Sequence, residues 1–291
     1  MRKLLFVLLL LYSFMGFSQD YYEKPISELL IHPQKIYKKQ SGKKSFSWEN
    51  FTMGIKGGIN FSIVIPITNN SIFSGTDSEK DYSPFYQNLG YQTGFIMRYS
   101  LSRDIKISIQ PSINDYAYRY STEYSWTGST NLTYLLEYEQ SMRFFEIPFI
   151  VGYYFRAKNW QPYIQGGGYY AMLMNSNSYT DITETTDNQI LTSTSTINAD
   201  GIYNKNQFGI LAGAGIRYAA GRTLIGFEAN YRFMLSPLSS TKSRYGNNQV
   251  IGNYDVSDEI LFNNIAFTIN ITVPLVCNAK KEGPFIFCKS N

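Results

Sequence analysis

The sequence predicts an all-β fold, an eight-stranded antiparallel transmembrane β-barrel with short periplasmic turns and long extracellular loops. Three observations predict it: segments that alternate apolar and polar residues, gaps between them that are alternately long and short, and an export signal at the N-terminus. Aromatic residues make up 16% of the 291 residues and charged residues another 16%. No apolar run of about 20 residues follows the N-terminal one, which excludes a bundle of membrane helices.

The N-terminus has the pattern of a secretory signal peptide. Arg2 and Lys3 precede an unbroken apolar run over residues 4–11, and the small residues Gly16 and Ser18 occupy positions −3 and −1 of a cleavage site. The apolar run is shorter than the roughly 20 residues that a membrane anchor helix requires. We therefore expect residues 1–18 to be removed and the mature protein to be exported.

Eight segments carry the period-2 pattern of half-buried strands. They span residues 51–64, 89–101, 105–120, 132–155, 160–174, 207–219, 223–235 and 259–275. The gaps between them measure about 24, 3, 11, 4, 32, 3 and 23 residues, so that long loops alternate with tight turns, as in outer-membrane barrels. An even number of strands places both chain ends on the short-turn side, and both termini are predicted to be periplasmic.

The third predicted strand does not keep one phase along its length. Its first half, residues 105–113, and its second half, residues 116–120, place apolar side chains on opposite faces. A β-bulge near Asn114 and Asp115 would bring the two halves back into phase.

Charged residues on the polar faces of the strands are predicted to point into the barrel, because Arg or Lys on the lipid face costs about 2–4 kcal/mol at mid-membrane. This luminal charge network consists of Lys56, Arg98, Lys106, Glu146, Arg217, Glu228 and Arg232. An eight-stranded barrel is just wide enough for side chains to fill it, and buried charges must pair. The pattern favours a packed ionic plug over a gated solute path. Because five cations face only two carboxylates, we expect either that water enters the lumen or that the unmatched cations lie near a mouth of the barrel.

The composition excludes most catalytic chemistry. The only histidine, His32, precedes the first strand, so the barrel lacks the base of a Ser–His or water–His mechanism. A carboxylate mechanism through Asp77, Glu79 or Asp81 is the remaining enzymatic alternative. We expect no catalytic residues, no metal and no cofactor. Because 26 basic and 22 acidic residues give a net charge of only +4, no nucleic-acid partner is expected.

Three stretches carry a resemblance to a known family. Residues 145–155 (FEIPFIVGYYF) and 161–167 (QPYIQGG) resemble a hairpin of the PorT-like outer-membrane β-barrel family of Bacteroidetes, and residues 53–62 (MGIKGGINFS) resemble its opening strand. The resemblance covers residues 51–275. It implies a barrel in outer-membrane lipid, with envelope or secretion-machinery proteins as partners. It provides no catalytic residues, since family members range from accessory components of type IX secretion to barrels without an assigned role.

The predicted organisation is a signal peptide (1–18), a periplasmic N-terminal segment (19–50), the barrel (51–275) and a periplasmic tail (276–291). The lysine-rich N-terminal segment is either a solvated leader or a docking arm for a periplasmic partner or phosphate groups. Cys277 and Cys288 lie in the tail, in a compartment that permits disulfides. A disulfide between them and two free thiols both fit, whereas zinc sites need more ligands at closer spacing.

The sequence therefore favours a non-enzymatic outer-membrane barrel. Its expected role is binding or scaffolding at the cell surface, or assistance to protein export of the type IX kind. The alternatives are a narrow pore for small or hydrophobic molecules and a histidine-independent outer-membrane enzyme.

Overall fold

The computed structural model describes residues 50–70, 80–126, 132–155, 160–186, 189–199, 201–220, 223–239 and 254–275. The predicted signal peptide, the lysine-rich segment as far as residue 49 and the predicted tail with Cys277 and Cys288 lie outside these ranges. Among the described residues, no helix has the length and apolar character needed to cross a membrane.

The described chain consists almost entirely of strands. These are β1 (Phe51–Thr68), β2 (Asp81–Tyr82), β3 (Leu89–Ser100), β4 (Ile105–Ile109), β5 (Ser112–Trp126), β6 (Leu132–Tyr154), β7 (Trp160–Thr186), β8 (Gln189–Asn198), β9 (Asn206–Ala220), β10 (Thr223–Met234) and β11 (Glu259–Pro274). A single 3-10 turn, Phe85–Gln87, precedes β3.

The strands close into an eight-membered antiparallel ring, and the predicted fold class is confirmed. The ring runs from β1 through β3, β4 with β5, β6, β7, β9, β10 and β11, and β11 pairs back onto β1. β4 and β5 together form one ring strand, since both pair with β3 and with β6. β2 and β8 are additions at the long-loop end, where they pair with β5 and β7.

The strand register fixes the stagger of the ring. A path across paired residues leads from Phe51 through Tyr99, Ile107, Val151, Gly166, Ala212, Tyr231 and Ile265 to Phe61. The path thus returns to β1 ten residues beyond its start. Because closure with a stagger requires tilted strands, residues at one height of the barrel come from widely separated points in the sequence.

The predicted bulge near Asn114 and Asp115 is wrong. β3 pairs with the same register on both sides of Pro111, and every second residue from Lys106 to Tyr124 is buried. Pro111 interrupts the hydrogen-bond ladder because it has no N–H group, but it does not shift the phase. The tyrosines of β5 therefore face the interior, where they join an aromatic core.

The predicted 32-residue loop after the fifth strand is also wrong in its extent. β7 continues to Thr186, and residues 189–198 return along it as β8, so most of the segment forms a hairpin. The segment is rich in Thr, Ser and Asn, and Ser and Asn favour turns over strands. The regular pairing of β7 with β6 and β8 outweighs that weak local preference.

The outer face carries a belt of apolar side chains. On β6 it extends from Phe145 to Tyr153, where alternate residues are apolar and face outward. Beyond Phe145, the outward positions of β5 and β6 hold exposed ion pairs, Arg143 with Asp115 at 2.6 Å and Arg119 with Glu139 at 2.8 Å. Because charge on a lipid-facing position is costly, these pairs mark the end of the lipid belt. The ring strands β5, β6 and β7 extend beyond it towards the long-loop end.

Candidate functional site

The candidate site is the interior of the barrel at the level of the lipid belt and the short turns. The side chains of all seven residues of the luminal charge network lie inside, and none is more than 6% exposed. They come from six of the eight ring strands: β10 contributes two of them, and β1, β3, β4, β6 and β9 contribute one each. Alternation along each strand places them inward, and ring closure brings them together.

Glu146 is the centre of the first ionic group. It accepts a hydrogen bond of 2.5 Å from the Tyr116 hydroxyl, and its other carboxylate oxygen lies 3.7 Å from Nε of Arg232. Arg232 in turn donates from Nη2 to Oε1 of Gln92 at 2.7 Å and from Nη1 to the Tyr116 hydroxyl at 3.2 Å. The guanidinium and the carboxylate therefore share Tyr116 as a common partner.

Glu228 is the centre of the second ionic group and is fully buried. Its Oε1 accepts hydrogen bonds from the Tyr163 hydroxyl at 2.6 Å and from Nδ2 of Asn270 at 3.1 Å. Nη2 of Arg98 lies 3.6 Å from the same oxygen. Nε2 of Gln165 donates to the other oxygen, Oε2, at 3.5 Å. These hydrogen bonds and the nearby guanidinium stabilise the carboxylate charge at a fully buried position.

Three cations surround a single aromatic ring near the short turns. Arg98, Lys106 and Arg217 place their charged groups 5.6, 5.0 and 4.4 Å from the centre of the Tyr154 ring. Nε of Arg217 also donates to Oε1 of Gln161 at 2.7 Å. We call Arg98, Lys106 and Arg217 the short-turn cation cluster.

The remaining predicted residue, Lys56, is not a member of either ion pair. Its ammonium group donates to Oε1 of Gln110 at 2.9 Å. Gln110 sits at the junction of β4 and β5 and also donates to the hydroxyl of Ser108 at 3.2 Å. Lys56 is thus held by a neutral polar group.

The long-loop half of the interior is filled by an apolar and aromatic core. Tyr203 and Leu238, from the connections before β9 and after β10, are buried in it. The hydroxyls of Tyr118 and Tyr203 are 2.9 Å apart, and Tyr203 donates to Gln140 at 3.1 Å. Leu238 donates its backbone N–H to Ile260 at 2.8 Å. Loop residues therefore fill the long-loop mouth.

A further buried ionic cluster, which the sequence did not predict, lies at the long-loop mouth. Lys80 is 2.8 Å from Asp255 and 3.6 Å from Asp258, while Tyr120 donates to Asp255 at 2.6 Å and Tyr82 to Asp258 at 2.7 Å. Burial and the neighbouring Asp258 carboxylate raise the pKa of Tyr82, which keeps its hydroxyl protonated as a donor. The signal was the pair of aspartates just before the last strand, which periodicity alone assigned to a loop.

The residues considered for enzymatic chemistry do not form a site in the described part of the chain. Asp81 pairs with Ser121 in the short β2 ladder, and Asp77 and Glu79 lie outside the described residues. Within the described ranges, no group of three or more His, Cys, Asp or Glu side chains could hold a metal ion.

A closed, antiparallel, eight-stranded ring with an apolar outer belt and a polar, charged interior defines a barrel of the outer-membrane type. The chain belongs to the outer membrane protein beta-barrel domain family, whose model matches residues 38–240. Membership places the protein in the outer membrane, with lipid around the belt.

Solved structures of low sequence identity also match. Neisserial surface protein A, from Neisseria, is 11% identical over 78% of this chain and 97% of its own, with a TM-score of 0.33. OprG from Pseudomonas aeruginosa is 10% identical over 76% and 94%, with a TM-score of 0.37. Ail from Yersinia pestis is 12% identical over 76% and 97%, with a TM-score of 0.28. No curated protein sequence matches significantly.

Proposed function

We propose that this protein is a non-enzymatic outer-membrane barrel that binds or scaffolds a partner at the cell surface, with both chain termini in the periplasm. The observation that carries the proposal is the extension of β5, β6 and β7 beyond the lipid belt, which ends in the edge strand β8. With the short turns in the periplasm, this extension projects from the outer surface of the cell.

The composition of β8 supports a role in strand pairing. Its ten residues, QILTSTSTIN, contain no charged residue and no proline. Natural proteins place charged residues and proline on edge strands to prevent pairing with other chains. Ile190 and Leu191 near its start are 71% and 66% exposed. An extended segment of a partner can add to such an edge through backbone hydrogen bonds.

A groove on the outer wall of the same extension gives the partner a second point of contact. It has a volume of about 410 Å³ and lies across β5, β6 and β7. Glu137, Glu139 and Asp181 line it against the single cation Arg119. This surplus of negative charge favours a partner that presents cationic or hydrogen-bond-donating groups.

The filled long-loop mouth supports surface binding over the narrow-pore alternative. Tyr118, Tyr203 and Leu238 occupy the position through which a solute would pass. A conducting path would require these buried side chains to leave their packed positions.

The orientation can be tested by cysteine labelling of intact cells. Thr192→Cys on β8 and Ser102→Cys in the β3–β4 turn are made in a background in which Cys277 and Cys288 are replaced by serine. A membrane-impermeant maleimide should label residue 192 on intact cells and residue 102 only after permeabilisation. The reverse labelling would invert the proposed topology.

Binding can be tested with a photo-crosslinking amino acid placed at Thr192 in living cells. We expect a crosslinked adduct that is lost when Leu191→Lys adds charge to the edge, whereas a crosslinker at Ile269 in the lipid belt should give no protein adduct.

The export role, which the PorT-like resemblance suggests, predicts instead that deleting the gene removes proteins from the secreted fraction. An unchanged secreted fraction together with the β8 adduct would favour surface binding.

A further inference from the structure

The edge strand β8 presents two different faces to any segment that pairs with it. Within the described chain, β8 pairs with β7 alone, and its residues 189–194 are all exposed. Alternate residues of a strand lie on opposite faces of the sheet, and a segment added beside β8 would continue both faces. The side chains that surround each face of β8 therefore decide which side chains such a segment must carry.

The inner face of β8 is apolar towards both ends. Ile197 packs against the aromatic core of the long-loop half, and Leu191 lies on the same face nearer the hairpin tip. Short serine side chains lie between them. Leu191 is 66% exposed. An apolar side chain on an added strand would pack beside it and remove apolar surface from water.

The outer face of the same sheet carries a pair of like charges next to β8. Glu137 on β6 and Asp181 on β7 occupy directly opposite positions, and both line the groove on the outer wall. Two carboxylates in such positions repel each other. Neither forms an ion pair within the described ranges, whereas the nearby Arg119 pairs with Glu139 at 2.8 Å. A cation on an added strand would relieve this repulsion.

The position of Thr194 on β8 lets such a cation reach the carboxylates. Thr194 lies opposite Asp181 and donates a hydrogen bond of 2.7 Å to its carboxylate. An added strand would lie about 5 Å beyond β8. A lysine or arginine opposite Thr194 is long enough to extend across this short side chain to Asp181, since long side chains in a sheet reach beyond their direct neighbours.

We propose, on the basis of the function proposed for the β8 edge, that its partner is an extended peptide segment in which basic and apolar residues alternate. The basic residues lie on the outer wall beside Thr194 and Asp181, and the apolar residues lie on the inner face beside Leu191. Backbone hydrogen bonds to the edge hold the segment, and the alternation provides specificity. A basic segment without the alternation would place charge next to Leu191.

Synthetic peptides of the same length as β8 test the pattern. In the first peptide lysine and valine alternate, in the second the same residues form two blocks, and in the third glutamate replaces lysine in the alternating order. Fluorescence anisotropy of labelled peptides measures binding to the full-length protein in a neutral maltoside detergent, with empty micelles as the blank. The alternating lysine peptide should bind about tenfold more tightly than either of the others. Equal affinity of the two lysine peptides, or tighter binding of the glutamate peptide, would overturn the proposal.

Single substitutions locate the charge that the peptide contacts. Asp181→Asn should weaken binding of the alternating lysine peptide by about two- to fivefold, the effect of losing one exposed ion pair. Glu123→Gln is the matched control, because it removes an equal charge from an exposed position on β5, farther from the β8 edge. The control should keep the wild-type affinity. Equal losses in both variants would reflect net charge alone and would contradict the proposed contact.

The crosslinker at Thr192 in living cells separates the identity of the partner from the proposed function itself. A cellular adduct that the alternating lysine peptide displaces would support both. A cellular adduct without binding of that peptide would overturn the alternating basic pattern and leave surface binding in place. The absence of both the adduct and peptide binding would overturn both.

Discussion

At the scale of single residues, Glu228 shows how a charge is tolerated inside the barrel. Its side chain is fully buried, and it accepts from Tyr163 and Asn270 while Arg98 lies next to it. The sequence left open whether the interior is dry or wet. Complete burial corresponds to the dry case, in which removal of one partner leaves the other charge uncompensated.

We therefore expect Glu228→Gln to lower the free energy of unfolding by about 3–5 kcal/mol. The glutamine keeps the size of the side chain, so that the loss reflects the missing charge beside Arg98. Urea unfolding of the refolded barrel, followed by tyrosine and tryptophan fluorescence, measures the change.

Glu139→Gln is the matched control, because Glu139 forms an exposed ion pair with Arg119. Loss of this exposed ion pair should lower the free energy of unfolding by about 1 kcal/mol or less. If both variants unfold at the wild-type urea concentration, the interior is hydrated and the packed ionic plug is not what stabilises the barrel.

At the scale of elements, glycines on one strand make room for large side chains on the next. Gly215 on β9 faces the interior beneath the ring of Tyr163 on β7, and Gly209 lies in the same way beneath Tyr169. Without a Cβ atom at these positions, the rings can lie against the wall. The hydroxyl of Tyr163 then reaches Glu228 on β10.

Gly215→Ala should destabilise the barrel by about 1–3 kcal/mol, the usual cost of overfilling a packed interior. The added methyl group would overlap the Tyr163 ring and the carbonyl oxygen of Phe227. Urea unfolding of the refolded barrel measures this change in the free energy of unfolding.

Gly166→Ala serves as the control for strand propensity, because it adds a methyl group on the outer face of β7. There the nearest atom, the carbonyl oxygen of Leu211, is 3.6 Å away, an ordinary contact. A loss of the same size in both variants would show that chain flexibility, and not overlap with Tyr163, is responsible.

At the scale of the whole molecule, ring closure removes every free edge from the lipid belt. Each of the eight ring strands has a hydrogen-bonded neighbour on both sides, and the additional strands β2 and β8 lie beyond the belt. This arrangement satisfies the backbone polar groups that lipid cannot.

The closed ring should make the protein heat-modifiable. Unboiled protein in dodecyl sulfate should migrate as a compact species, and boiling should convert it to the mobility of the fully unfolded mature chain, because the closed hydrogen-bonded ring resists the detergent until it is heated. Gel electrophoresis of membrane fractions is the measurement. A single band with the same mobility before and after boiling would be inconsistent with a closed barrel.

Outside β5, the sequence by itself determined which side chains face inward, and it determined how many strands cross the membrane. Period-2 alternation indicates which residues lie on each face of a strand, and the alternating gap lengths indicate which connections are tight turns. For that reason the eight ring strands could be predicted, and Lys56, Arg98 and Glu228 could be assigned to the interior without a structure.

Only the tertiary structure decided which of these residues meet. The stagger of ten residues around the ring brings Arg98 to Glu228 and Arg232 to Glu146, and no local pattern contains that stagger. The inward phase of the β5 tyrosines and the loop residues in the mouth depend on the same long-range packing. The physical reason is that alternation is set by each strand alone, whereas contacts across the interior depend on the tilt and closure of all eight.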